Sequence, residues 1–85
     1  MKDLLHSSLA AALKTLGIEP GAIPLEHPSE LVNGDYASSV ALQYAKEASS
    51  NPRALAEKIV ASLGAIEGVE KIEIAGPGFI NFYLT

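Results

Sequence analysis

Two runs near the end of the chain, residues 69–75 and 79–84, are rich in β-branched and aromatic residues and are separated only by Gly76-Pro77-Gly78. Strand formers that close to one another across a glycine-proline turn have one economical solution, an antiparallel hairpin with a three-residue loop. If Ala75 faces Phe79 across the loop, Ile74 falls opposite Ile80, Glu73 opposite Asn81, Ile72 opposite Phe82 and Lys71 opposite Tyr83. Side chains alternate between the two faces of a strand, so this register sorts them. One face carries Ile72, Ile74, Ile80, Phe82 and Leu84 and must cover a core. The other carries Lys71, Glu73, Phe79, Asn81 and Tyr83.

The core that this face covers has to come from helices. Leu5, Leu9, Ala12, Leu13 and Leu16 recur at the spacing of one helical stripe after Asp3, a candidate cap, and Gly17 ends the run. Residues 21–28 alternate Ile23 and Leu25 with Pro24 and Glu26, which predicts a short edge strand stopped by Pro28. Leu31-Val32 is either a brief second strand or loop packing, and Asn33-Gly34-Asp35 marks a turn. From Asp35, read as a cap, Ala37, Val40, Ala41, Tyr44, Ala45 and Ala48 keep helical spacing and predict a second helix with small residues on its buried side. Asn51 caps a third helix, with Pro52 in its first turn, a stripe of Leu55, Ala56, Ile59 and Leu63, and Gly64 at its end.

The whole pattern predicts a single α+β domain over residues 1–85. It is a two-layer sandwich with helices on one face of a small antiparallel or mixed sheet, in the order α-β-(β)-α-α-β-β. At 85 residues, 48% hydrophobic and 19% charged, the chain has material for one core and none for a deep cavity beneath it. Binding at a surface is therefore favoured over catalysis. Cysteine is absent, which excludes disulfides, thiolate chemistry and cysteine-held metals. No uncharged stretch approaches the ~20 apolar residues of a membrane span, and the one between Asp35 and Lys46 contains Ser38, Ser39, Gln43 and Tyr44. The opening Met-Lys-Asp, with His6, Ser7 and Ser8 close behind, is unlike a secretory signal, so a cytoplasmic location is expected.

Little in the chain suggests a reaction centre. His6 and His27 are the only histidines, stand in different elements and have no carboxylate at metal-site or triad spacing. Ser38 and Ser39 lack a nucleophile elbow and read as ordinary helix-start serines. Gly76 and Gly78 precede no helix and form no phosphate loop. Six Lys plus Arg against ten Asp plus Glu leave a net charge of −4, the wrong sign for holding nucleic acid by phosphate neutralisation alone. That leaves the outward hairpin face. Phe79, Asn81 and Tyr83 are either covered by a loop or by the rest of a larger protein, or they form a platform on which an unpaired base stacks while an amide bonds its edge.

The blocks Asn33-Gly34-Asp35-Tyr36-Ala37-Ser38-Ser39-Val40-Ala41-Leu42, Asn51-Pro52-Arg53 with Ala56-Glu57, and Val69 to Phe82 through Ala75-Gly76-Pro77-Gly78-Phe79-Ile80-Asn81-Phe82 resemble the N-terminal additional domain of arginyl-tRNA synthetases. The resemblance spans nearly the whole chain. It implies a module of an ATP-dependent ligase that joins arginine to its tRNA, contacting the D-loop at the outer corner of tRNA(Arg), including a base exposed there. The aromatic and amide contact positions that the resemblance implies fall on Phe79 and Asn81; Tyr83 joins them by strand alternation alone. The family's His-x-Gly-His-type and Lys-Met-Ser-Lys-like segments are absent, so this chain by itself is expected to carry no catalytic residues. The expected partners are the tRNA and a catalytic domain of the same polypeptide. No cofactor, metal or membrane is expected for the domain, and ATP enters only as the parent enzyme's substrate. The competing expectation is a structural or protein-docking module whose exposed aromatic strand never meets RNA.

Overall fold

The computed structural model describes residues 2–27 and 34–85. Helix α1 spans Lys2–Thr15, strand β1 Tyr36–Ser38, helix α2 Val40–Tyr44, helix α3 Pro52–Leu63, strand β2 Val69–Ala75 and strand β3 Phe79–Leu84. The strands form one antiparallel sheet in the order β1-β3-β2, so the last strand is the central one. The hairpin register is the one the sequence predicts, from Ala75 opposite Phe79 to Lys71 opposite Tyr83, with a bulge between Val69 and Lys71. Ile80 and Phe82, both fully buried, meet Leu5, Leu9 and Leu13 of α1, Val40 and Ala41 of α2, and Leu55, Ala56 and Ile59 of α3 in one core. The layout is α+β, with the helices on one side of the sheet and the sheet antiparallel throughout.

Helix ends follow local chemistry. Asn51 caps α3 by accepting from the Ala54 amide at 2.7 Å, and Pro52 occupies the first turn. At the end of α1, the Ile18 amide reaches the Leu13 carbonyl at 2.9 Å and the Gly17 amide the Lys14 carbonyl at 3.0 Å, the paired closure that a residue with positive φ permits. Asp3 lies inside the first turn of α1, where its charge faces the helix's positive end, and does not precede the helix as a cap.

Two further expectations are corrected. Residues 21–27 form no strand; one isolated bridge, Glu26 with Ala37, is all the ladder they make. Side chains hold this segment instead. The Tyr44 hydroxyl accepts from the Gly21 amide at 2.8 Å and donates to the Ala22 carbonyl at 3.0 Å; Gln43 Nε2 donates to that carbonyl at 2.8 Å, and Ser38 Oγ donates to the Pro24 carbonyl at 2.6 Å. An extended chain whose polar groups are met by hydroxyls and an amide needs no neighbouring strand. Secondly, α2 does not begin at Asp35: residues 36–38 pair with residues 80–82 as β1, and the helix starts only at Val40. Ser39 is its flanking residue and makes no side-chain cap, whereas the Val40 amide donates to Ser38 Oγ at 3.1 Å. Pro28, the possible Leu31-Val32 strand and Asn33 lie outside the described residues.

Asp35 acts on the sheet. Its amide donates to the Phe82 carbonyl at 2.8 Å and its Oδ2 accepts from the Leu84 amide at 2.8 Å. The carboxylate thus takes a backbone donor of β3 just where β1 has ended. Gly34 makes this approach possible: at φ 93, a Cβ on it would stand 2.8 Å from the Phe82 carbonyl oxygen.

Candidate functional site

The sheet face turned away from the helices is set by β3. Phe79 opens that strand beside the turn, with Ala75 as its cross-strand neighbour on β2 and no residue of β1 opposite it, because β1 pairs only with residues 80–82. Phe79 is 39% exposed, and among the described residues only Leu4 is another large hydrophobic left that open. A phenyl ring presented at a strand end is a stacking surface for a planar partner.

Asn81 points to the same face but is not open. It stands between Ala37 of β1 and Glu73 of β2 and is 5% exposed. The sequence register gives its direction correctly; its cover follows from the third strand, which the hairpin pattern alone does not reveal. Tyr83 is half-buried, with Lys71 Nζ 4.5 Å from its ring centre. Lys71 also stands 3.6 Å from Glu73 Oε2, and both side chains are about half exposed, so this ion pair contributes little to stability. The Tyr83 phenol is raised above its ordinary range, first by removal from water, then by its hydrogen bond to Glu73 and that carboxylate's charge, with Lys71 and the Asn81 amide opposing. Phe79, Asn81 and Tyr83 therefore do share one face, where Phe79 is the open member, Asn81 the covered one and Tyr83 the one engaged with charged neighbours.

The turn that presents Phe79 is anchored on α3. At Gly78, with φ 152, a Cβ would fall 2.9 Å from Pro52 Cβ and 3.0 Å from its carbonyl carbon and oxygen. The backbone of the turn therefore lies directly on the first residue of α3. Arg53 Nη1 donates to the Gly76 carbonyl at 2.9 Å. The separate Asn-Pro-Arg and Gly-Pro-Gly-Phe blocks of the sequence are thus one structural unit, a contact between residues more than twenty positions apart that no local pattern announces.

Other polar groups are accounted for structurally. His27 Nδ1 is 3.0 Å from the Asp35 carbonyl oxygen and its ring lies 4.3 Å from that of Tyr36. Ser38 is buried by the bonds given above. Among the described residues, no group of three or more His, Asp or Glu side chains could hold a metal ion, and no helix is long and apolar enough to cross a membrane. A cleft of about 250 Å³ lies at the end of α3 against β2, between Val60, Ile66, Val69, Lys71 and Ile72.

Comparison with known proteins places these features in a family. The sequence pattern of the family described as Arginyl tRNA synthetase N terminal domain matches residues 3–84. The arginine–tRNA ligase of Prosthecochloris aestuarii is 51% identical over 87 residues, covering 100% of this chain and 16% of that enzyme. The arginine–tRNA ligase of Pseudomonas fluorescens is 46% identical over 91 residues, covering 98% of this chain and 16% of the enzyme. Among solved structures, arginyl-tRNA synthetase from Thermus thermophilus superimposes with a TM-score of 0.80 at 30% identity, over 95% of this chain and 13% of that one. The Plasmodium falciparum enzyme, at 18% identity and a TM-score of 0.79, shares the fold.

Proposed function

The chain belongs to the family of arginyl-tRNA synthetase N-terminal domains, and from that premise we propose that it is the tRNA-recognition module of an arginine–tRNA ligase. In this role it contacts the D-loop at the outer corner of tRNA(Arg), while a catalytic domain elsewhere in the polypeptide, in the cytoplasm, performs ATP-dependent aminoacylation. ATP, as a substrate of that reaction, is held outside this domain. The single observation that carries the site is Phe79 on the central strand, 39% exposed and, with Leu4, one of two large hydrophobic residues left open among the described residues. A base stacked on such a ring gains roughly 1 to 3 kcal/mol. That is modest, and suits a domain of net charge −4 that adds discrimination to binding supplied mostly elsewhere. Asn81 and Tyr83 border the ring on the same strand; the Asn81 amide, 5% exposed, orients the groups that meet the base edge.

The test is charging by the complete polypeptide that carries this domain. Phe79→Ala is expected to raise KM for tRNA by about tenfold, corresponding to ~1.4 kcal/mol, with kcat kept; Asn81→Ala should act in the same direction. Unchanged charging in both would remove the face from tRNA recognition. A protein-docking role is favoured by one observation, the burial of Asn81. It predicts that Phe79 is protected from hydroxyl-radical footprinting in the complete polypeptide without tRNA, whereas the tRNA role predicts protection only when tRNA is added.

A further inference from the structure

We propose that Arg53, resting on the tRNA-recognition reading above, contacts the sugar-phosphate backbone of the nucleotide whose base covers Phe79. Arg53 is the sole arginine of the chain, and the fold places it at the turn that presents the open Phe79. Arg53 Nη1 is fixed on the Gly76 carbonyl at 2.9 Å, and Phe79 Cδ2 lies 3.6 Å from where a Cβ of Gly76 would stand. Guanidinium and ring therefore flank the same residue. The turn beneath them is held by the seating of Gly78 on Pro52, so their relative position does not depend on a mobile loop.

The chemistry matches a phosphate. A guanidinium has five N–H donors in a planar fork and never loses its charge. The Gly76 carbonyl takes one donor, Arg53 is exposed, and among the described residues no carboxylate stands within ion-pair distance of it. The first turn of α3, to which Arg53 belongs, carries no acidic residue that would repel an anion. A tether through one nitrogen leaves the others oriented and costs little further side-chain entropy on binding. If the Gly76 bond were its whole purpose, an uncharged donor would serve. The charge is what the turn does not need and what a phosphate would use.

The experiment measures tRNA binding by the complete polypeptide over a series of salt concentrations. Arg53→Gln keeps an amide donor for the Gly76 carbonyl and removes the charge. It is expected to weaken binding roughly 3- to 10-fold at low salt and to make the slope of log affinity against log salt shallower by about 0.7 to 1. Arg53→Lys, which keeps the charge, is expected to retain the parental slope. Thermal unfolding of each variant reports whether the turn is kept. Weaker binding by Arg53→Gln with an unaltered slope would show a merely structural Arg53 and overturn the inference. An unaltered slope alongside impaired Phe79→Ala would overturn it while leaving the tRNA-recognition role standing. Unaltered binding in both Arg53→Gln and Phe79→Ala would overturn the two together.

Discussion

The hairpin of β2 and β3 follows its sequence pattern residue by residue, whereas the described residues between Ile18 and Ser39, 18–27 and 34–39, depart from theirs. Between β2 and β3 the pairing is closed by the short turn that joins them, so alternation and turn chemistry settle their register. In the earlier stretch the partners are remote side chains. Tyr44, Gln43 and Ser38 hold residues 21–24, Asp35 reaches Leu84, and β1 is a strand only because residues 80–82 lie beside it. Local patterns thus report structure that is satisfied locally, and they mislead where satisfaction comes from across the fold.

The sharpest way to break this contrast is at Gly34. Gly34→Ala places a Cβ 2.8 Å from the Phe82 carbonyl at φ 93, and is expected to destabilise the domain by about 2 to 3 kcal/mol, read by denaturant unfolding. A loss below 0.5 kcal/mol would mean that β1 is not pressed on β3. Tyr44→Phe comes next. It removes the partner of the Gly21 amide and the donor to Ala22 and should cost about 1 to 2 kcal/mol. Amide exchange should accelerate at Gly21 while the hairpin amides keep their protection.

Asp35→Ala separates the two roles considered for that carboxylate. A cost of about 1 kcal/mol is expected, with faster exchange at Leu84 and none added at the start of α2. Acceleration in the first turn of α2 instead would restore Asp35 as a helix cap.

The smallest effect concerns Tyr83. Because its phenol is raised in the folded domain, the associated stabilisation is complete below the unfolded-state pKa of about 10 and is lost as pH rises through the folded value. Tyrosinate absorbance of the parent and of Tyr83→Phe, compared across alkaline pH, should show the missing ionisation above the ordinary tyrosine range; a difference spectrum centred below that range would contradict the Glu73 contact.

By itself the sequence determined the α+β class, the apolar stripe of α1, the extent of α3, the hairpin register and the face on which Phe79, Asn81 and Tyr83 stand, because helical stripes, caps and strand alternation are satisfied within a few residues of where they are written. The Gly-Asp-Tyr-Ala and Gly-Pro-Gly-Phe blocks also carried the family resemblance that the comparisons bear out. Only the tertiary structure decided that Ala37 of β1 flanks Asn81 on its other side, that Asp35 serves β3, and that Arg53 meets Gly76 beside the open ring. These arise from groups brought together across gaps of twenty to fifty positions, where burial and hydrogen bonding depend on the assembled sheet and helix rather than on neighbouring residues.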